Sequence, residues 1–352
     1  MVEVRAEVCS FNNLYEAMLV CKCGVIWKDS VAKNVVNSLV FVKQLKHRLD
    51  TDTYEISQYY EFTIYEPKRR EIISTRFVDR VFQRSLCDNY LYREITKSFI
   101  YDNGACQKYR GTDFSRDRLK AHLSKYYRHH GHEGYALQCD IKNYFGSTRH
   151  DVAKDILAKR VRDKWALQHV YKLIDSYDRG DKTGLGLGSQ ITQLIQLAVL
   201  DDLDHFIKER LRIKYYVRYM DDIILIHHDK QYLHYCRAQI EMRLSDIHLK
   251  LNTKKSQIYH LKQGIPFLGF VYHLTETGRV LMLLSKRNLV KRRRKIRKYK
   301  ILFDLGKMTM EELDDSFRSW KAHAEKGDTY WKVKTMTLYY NRVMEGTLCL
   351  SS

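Results

Sequence analysis

Twelve residues constrain this chain more than any others: Tyr215-Tyr216-Val217-Arg218-Tyr219-Met220-Asp221-Asp222-Ile223-Ile224-Leu225-Ile226. The segments before and after the acidic pair are rich in aromatic and β-branched residues. They predict two strands joined by a tight turn at Met220-Asp221-Asp222. Two adjacent carboxylates at such a tip repel each other and resist burial unless a cation neutralises them. Magnesium fits that need, because it takes oxygen ligands and combines one or two carboxylates with substrate phosphates. A solvated Asp-Asp turn is the plainer alternative. Tyr-Met-Asp-Asp between two apolar strands is a far more specific pattern.

The charge balance narrows the partner. Among 352 residues, 62 Lys and Arg face 42 Asp and Glu, a net charge of +20. That surplus favours a polyanion, either nucleic acid or an anionic membrane. No apolar run approaches the length of a transmembrane helix, and Met1-Val2-Glu3-Val4-Arg5 does not read as a signal peptide. Nucleic acid is therefore the expected partner, with no membrane. The chain is long enough for two or three lobes, and its 26 tyrosines suit both stacking on bases and core packing. Eight scattered cysteines, of which only Cys21 and Cys23 are close, complete no zinc site and read as reduced thiols in a cytoplasmic protein. His129, His130 and His132 lie in a Tyr-, Arg- and Gly-rich stretch expected to be a surface loop rather than a metal site.

Along the chain, residues 1–54 read as an N-terminal helical extension. Val35, Leu39, Val42, Leu45 and Leu49 follow a 3.6-residue period and predict one buried face. Tyr60, Phe62 and Ile64 alternate as on a strand, Pro67 turns the chain, and a second strand is expected near Arg70. Basic side chains at that tip, Lys68 and Arg70 among them, suit a triphosphate, although a solvated basic turn has the same composition. A helix is expected from Phe77 to about Ile100. Another, near 114–128, would expose Arg116, Arg118, Lys120, Lys125 and Arg128. Ala136 to Cys139 predict a strand ending in Asp140, followed by Tyr144-Phe145. Gly184, Gly186 and Gly188 precede a long apolar helix, and glycines there allow close backbone approach to an anion or sugar. Their spacing is neither a P-loop nor a dinucleotide fingerprint. After a helix near 229–246 come Lys254-Lys255 and then Phe267-Leu268-Gly269-Phe270. Residues 286–300 hold ten Lys or Arg in fifteen positions, including Arg292, Arg293 and Arg294. A helix so charged calls for a phosphate backbone or a tail-like freedom.

In this order the stretches resemble reverse transcriptases, over about residues 55 to 340. The resemblance implies an α+β right-hand polymerase: fingers and palm over 55–283, with an antiparallel palm sheet, and a basic helical thumb over 284–352. Asp140 and Asp221 would bridge two magnesium ions, which manganese can replace, with Asp222 in support and the Ile141 backbone beside them. Lys68 and Arg70 would grip the triphosphate, and the Phe145 ring would exclude a ribose 2′-hydroxyl. Leu187, Gln193 and Met220 would line the nucleotide site. Lys255, with Lys254 as its rival, would be the general acid toward pyrophosphate. Phe267, Leu268 and Gly269 would hold the primer, and Arg292, Arg293 and Arg294 the nucleic-acid backbone. The implied partners are an RNA template, in particular a dedicated non-coding RNA, a DNA or RNA primer, and deoxynucleoside triphosphates. A small accessory protein or a homo-oligomer stays open.

Many families have Pro-Gln-Gly where this chain has Gly186-Leu187-Gly188. With Thr192-Gln193 downstream, that departure resembles reverse transcriptases of diversity-generating retroelements and implies low fidelity. A phage-defence reverse transcriptase, an RNA-binding scaffold without catalysis and a group II intron maturase share parts of the pattern. The maturase is expected to need more C-terminal chain, and no room is expected for an RNase H or endonuclease domain.

Overall fold

A computed structural model describes residues 3–65 and 69–346. It is an α+β structure whose strands form three antiparallel sheets. β1 (Tyr60–Ile64) and β2 (Arg70–Ser74) make a two-stranded ribbon. β3 (Tyr135–Cys139), β4 (Tyr215–Tyr219), β5 (Asp222–His227) and β6 (Gln257–His260) make a four-stranded sheet in the order β4-β5-β3-β6. β7 (Ile265–Phe267), β8 (Phe270–Leu274) and β9 (Val280–Leu283) make the third.

The four-stranded sheet reads as continuous apolar sequence because both its faces are covered. Leu137, Cys139, Tyr216, Ile223 and Leu225 join the core that contains Leu233, Cys236 and Ile240 of helix Lys230–Asp246. The alternate residues Ala136, Tyr215, Val217, Ile224 and Ile226 pack with Leu119, Leu123 and Tyr126 of helix Thr112–His130. Helices Lys230–Asp246 and Gln190–Val199 have chemical start signals, whereas Thr112–His130 follows Gly111 with no side-chain cap. Asp229 accepts the Gln231 and Tyr232 amides, and Ser189 accepts the Ile191 amide at the head of Gln190–Val199.

The N-terminal segment shares the main core. Val8, Leu14, Met18 and Leu45 are buried with Phe82, Leu86 and Leu91, and the Ser85 hydroxyl donates to the Val8 carbonyl at 2.6 Å. The single periodic helix expected around Leu39 is two helices, Asp29–Val36 and Ser38–Asp50. The break at Asn37 shifts the phase, so Phe41, Val42, Leu45 and Leu49 face inward while Leu39 is 62% exposed. Residues 77–96 are helical throughout, with a wide turn at Cys87–Leu91. After Ser285, helices Lys286–Asp304, Met310–Ala324 and Tyr330–Met344 enclose a small core of Ile296, Leu313, Phe317, Met336, Tyr340 and Val343.

Behind the β4–β5 hairpin lies an ion pair that the charge pattern did not reveal. The Arg218 side chain is fully buried, and its guanidinium contacts both Asp204 oxygens at 2.6–2.9 Å. It also donates to the carbonyls of Leu197 (3.1 Å) and Met220 (3.0 Å). The Tyr216 hydroxyl donates to Asp204 as well. Removing one member of a buried pair strands the other in low dielectric. Asp204→Asn should therefore cost about 3–5 kcal/mol in urea denaturation. A loss below about 1 kcal/mol would mean that the pair does not anchor this sheet.

Candidate active site

The strand registers decide where the acidic residues meet. β4 and β5 pair down to Tyr219 opposite Asp222, leaving only Met220 and Asp221 in the turn. Asp222 is thus the first residue of β5, not part of the tip. Met220 takes φ +54°, a conformation that is costly for a side chain of its size. β3 pairs with β5 up to Cys139 opposite Ile223, so the next step of the register brings Asp140 beside Asp222. Asp140 is 7% exposed and is clasped by the chain before β6. Its backbone amide donates to Ser256 Oγ (3.2 Å), and its carbonyl accepts the Asn252 amide (2.7 Å). Its carboxylate accepts Asn252 Nδ2 (3.1 Å) and Lys255 Nζ (2.6 Å). Of the two lysines weighed from sequence, Lys255 is the one that reaches Asp140.

Burial, then repulsion from Asp221 and Asp140, pushes the Asp222 carboxyl up to about 6. Burial and Asp140 also raise Asp221, against the Lys255 and Arg70 charges. Two carboxylates that disfavour their own ionisation, with the Asp140 oxygens next to Asp222, fit a divalent cation. Among the described residues no three acidic, His or Cys side chains close into a ready-made cage. Magnesium characteristically uses few carboxylates and completes its shell with water and substrate phosphate. Ile141 is buried and bridges to Leu251 in the same clasp.

A cleft of about 510 Å³ is lined by Arg69, Arg70, Phe145, Tyr177, Arg179 and Leu187, among others, and its Arg70 is the cation whose charge acts on Asp221. It brings together Arg70, Phe145 and Leu187, which are far apart in the sequence and were all expected around the nucleotide. Lys68 lies outside the described residues. Arg179 was not anticipated. It pairs with Glu61 (3.0 Å) and Glu71 (3.6 Å) on the β1–β2 ribbon. The glycines before helix Gln190–Val199 serve internal packing. A Cβ on Gly186 would lie 2.2 Å from the Tyr177 ring, and one on Gly188 would lie 3.0 Å from the Ile73 carbonyl. Gln193 and Met220 do not line that cleft but meet at the β4–β5 turn next to Asp221, over Cys106, whose Sγ lies 3.2 Å from Gln193 Oε1 and 3.9 Å from Met220 Sδ.

A second cleft, about 690 Å³, is lined by Asp222 itself. Phe267, Leu268 and Gly269 line it together with Arg287, Lys291, Arg292 and Trp320. The β7–β8 hairpin closes at Phe267 opposite Phe270, with Leu268 (φ +44°) and Gly269 (φ +89°) at its tip.

The residues matching the family described as reverse transcriptase (RNA-dependent DNA polymerase) are 69–272, more than half of the chain and including Asp140, Asp221 and Asp222. The chain belongs to the reverse transcriptase family. Members of that family generally depend on divalent metal ions. Its fold is that of a right-hand polymerase, similar to apo telomerase from Candida tropicalis truncated from its C-terminal domain. That structure is 14% identical, with 67% of this chain and 58% of the other covered and a TM-score of 0.52. Telomerase from Candida albicans, in complex with a fragment of telomeric RNA, is 12% identical over 79% of this chain and 55% of that one, with a TM-score of 0.48. The reverse transcriptase chain here thus spans little more than half the length of these structures. No curated protein sequence matches it. No helix among the described residues is long and apolar enough to cross a membrane.

Two basic side chains expected on the surface of this reverse transcriptase, Arg116 and Arg292, are buried, and Arg118 is half-buried. Arg116 is 5% exposed, bonded to Asp113 (2.7 Å) and to the Leu268 carbonyl (2.9 Å), so it buttresses the β7–β8 turn. Arg118 is tied to Asp102 at 2.6 Å. The Arg292–Arg294 run divides: Arg292 is 8% exposed, lying against Phe317 and Trp320, while Arg293 and Arg294 are exposed. Burial lowers the Arg292 pKa. His129 and His130 end helix Thr112–His130 rather than forming a loop, and His130 stacks on His228 with centroids 4.9 Å apart. The described cysteines are all free.

The Asp222 pKa carries a consequence for stability. Between the ordinary 3.8 and about 6 the folded protein holds more protons than the unfolded chain, so stability falls as pH rises through that window. In metal-free protein this group should cost up to about 3 kcal/mol by about pH 6.5. Asp222→Asn should flatten the fall in urea denaturation measured across that range. Equal slopes in the two proteins would contradict it.

Proposed function

We propose that this chain is a cytoplasmic RNA-directed DNA polymerase that copies an RNA template into cDNA from a primer 3′-hydroxyl. One observation carries the reading: Asp140, Asp221 and Asp222 converge on strand ends, and Arg70, whose charge acts on Asp221, lines one cleft with Phe145 and Leu187. Two magnesium ions, or manganese in their place, would be held by Asp140, Asp221, Asp222 and the Ile141 backbone, and would supply charge stabilisation for in-line phosphoryl transfer. Arg70, with Lys68, orients the triphosphate through its guanidinium fork. The Phe145 ring leaves no room for a 2′-hydroxyl and selects deoxynucleotides. Lys255, whose Nζ contacts Asp140 at 2.6 Å, would act as general acid toward the departing pyrophosphate. The Phe267–Gly269 turn and the exposed cations of helix Lys286–Asp304 hold the primer–template duplex by its backbone. In this reading residues 55–283 are fingers and palm, 284–352 the thumb, and 1–54 an extension packed on the fingers.

The finer proposal is low fidelity, of the kind that diversifies sequence. Leu187 lines the nucleotide cleft and offers no hydrogen bond, so the nascent pair is held by shape, which discriminates weakly. A single primer-extension experiment on a defined RNA addresses both levels. Asp221→Asn should abolish extension while RNA binding persists, because it removes metal charge and leaves the basic surface intact. The parent's errors should concentrate at template adenines, and Leu187→Gln should lower them. Near-parent extension by the Asp221 variant would overturn the assignment of Asp221 to the metal site, and a parent that extends no primer would overturn the polymerase assignment. An error spectrum flat across the four template bases would overturn diversification and leave a defence reverse transcriptase working with a non-coding RNA.

A further inference from the structure

The loop before helix Thr112–His130 runs beside β4 and is fixed to it by backbone bonds. The Arg218 amide donates to the Asp102 carbonyl (3.0 Å), and the Gly104 amide donates to the Arg218 carbonyl (3.1 Å). This clamp delivers Cys106 to the Met220 turn. Cys106 has φ +49° and Met220 has φ +54°, so two side chains in the left-handed region meet there, sulfur to sulfur at 3.9 Å. Such conformations persist where the surroundings over-determine them. The Cys106 thiol donates to Gln193 Oε1 at 3.2 Å. An amide whose oxygen is engaged offers its NH2 group elsewhere.

We propose that Cys106 is a positioning residue of the nucleotide site: its thiol fixes which end of the Gln193 amide faces the base pair forming at the Met220–Asp221 turn, and so sets nucleotide discrimination. This rests on the polymerase reading above. A locked amide rejects a pair that presents a donor where an acceptor belongs, because a buried polar group would be left unpaired. A freely flipping amide accepts both. With Leu187 unable to hydrogen-bond, Gln193 carries a larger share of that test.

The experiment compares parent, Cys106→Ala, Cys106→Ser, Gln193→Ala and the Cys106→Ala/Gln193→Ala double variant. It measures KM and kcat for single-nucleotide addition, misincorporation frequency, and direct binding of a non-hydrolysable deoxynucleoside triphosphate to the primer–template complex. Cys106→Ala should raise KM and misincorporation about three- to tenfold, with kcat within about twofold, in line with the loss of one hydrogen bond. Cys106→Ser keeps an O–H donor and should recover much of the loss. The double variant should be no worse than Gln193→Ala, because the two act as one unit. Additive effects, a serine variant no better than alanine, or unchanged discrimination in Cys106→Ala would each overturn the proposal. A parent that binds the triphosphate but extends no primer would overturn the polymerase reading instead, and the binding arm would then still judge Cys106.

Discussion

The guanidinium of Arg218 is the contact on which the acidic hairpin depends. It is fully buried, shares two oxygens of Asp204, and reaches the carbonyls of Leu197 and Met220. It therefore ties three pieces together: helix Gln190–Val199, the Asp201–His205 turn of helix and the β4–β5 tip. A charge buried this deeply is tolerated because nearly every donor has an acceptor. The tip needs such an anchor, since Met220 sits at positive φ and Asp221 and Asp222 repel each other. The loop that brings Cys106 to the same turn is bonded to the backbone of Arg218 itself. Catalytic geometry and buried support thus share one residue.

Charge on this chain works at two depths. Next to the acids, Lys255 and Arg70 counter part of the repulsion, and burial does the opposite, which is why Asp222 ends near 6 rather than in the usual carboxylate range. Further out, the +20 surplus faces the second cleft through Arg287, Lys291 and the exposed side of helix Lys286–Asp304. Hairpin β7–β8 stands between these zones. It is braced from behind by Arg116, whose positive charge looks like a surface feature in sequence but serves a backbone carbonyl.

How much of this could be read in the sequence follows from the range of each signal. Strand alternation and turn residues are local, so the Tyr60–Ile64 ribbon, the strand ending at Asp140 and the Tyr-Met-Asp-Asp hairpin were legible as elements. Their order supported a right-hand polymerase before any contact was known. Burial of a cation is not local. Arg116, Arg118 and Arg292 sit in runs that look solvent-facing, and only their partners Leu268, Asp102 and Trp320 show otherwise. Leu39 failed for a related reason: one residue, Asn37, broke the helix and reset its phase. Arg179 and Cys106 gave no signal at all, because what they do depends on loops that approach from far along the chain.

The claim beneath the whole account is that Asp140, Asp221 and Asp222 jointly hold divalent metal. Anomalous diffraction from manganese-soaked crystals of the protein with a primer–template and a non-hydrolysable deoxynucleoside triphosphate tests it directly. The account predicts two peaks about 3.5–4 Å apart among these three carboxylates and the triphosphate. Clear density for the nucleic acid and the nucleotide with no anomalous peak at the carboxylates would contradict it.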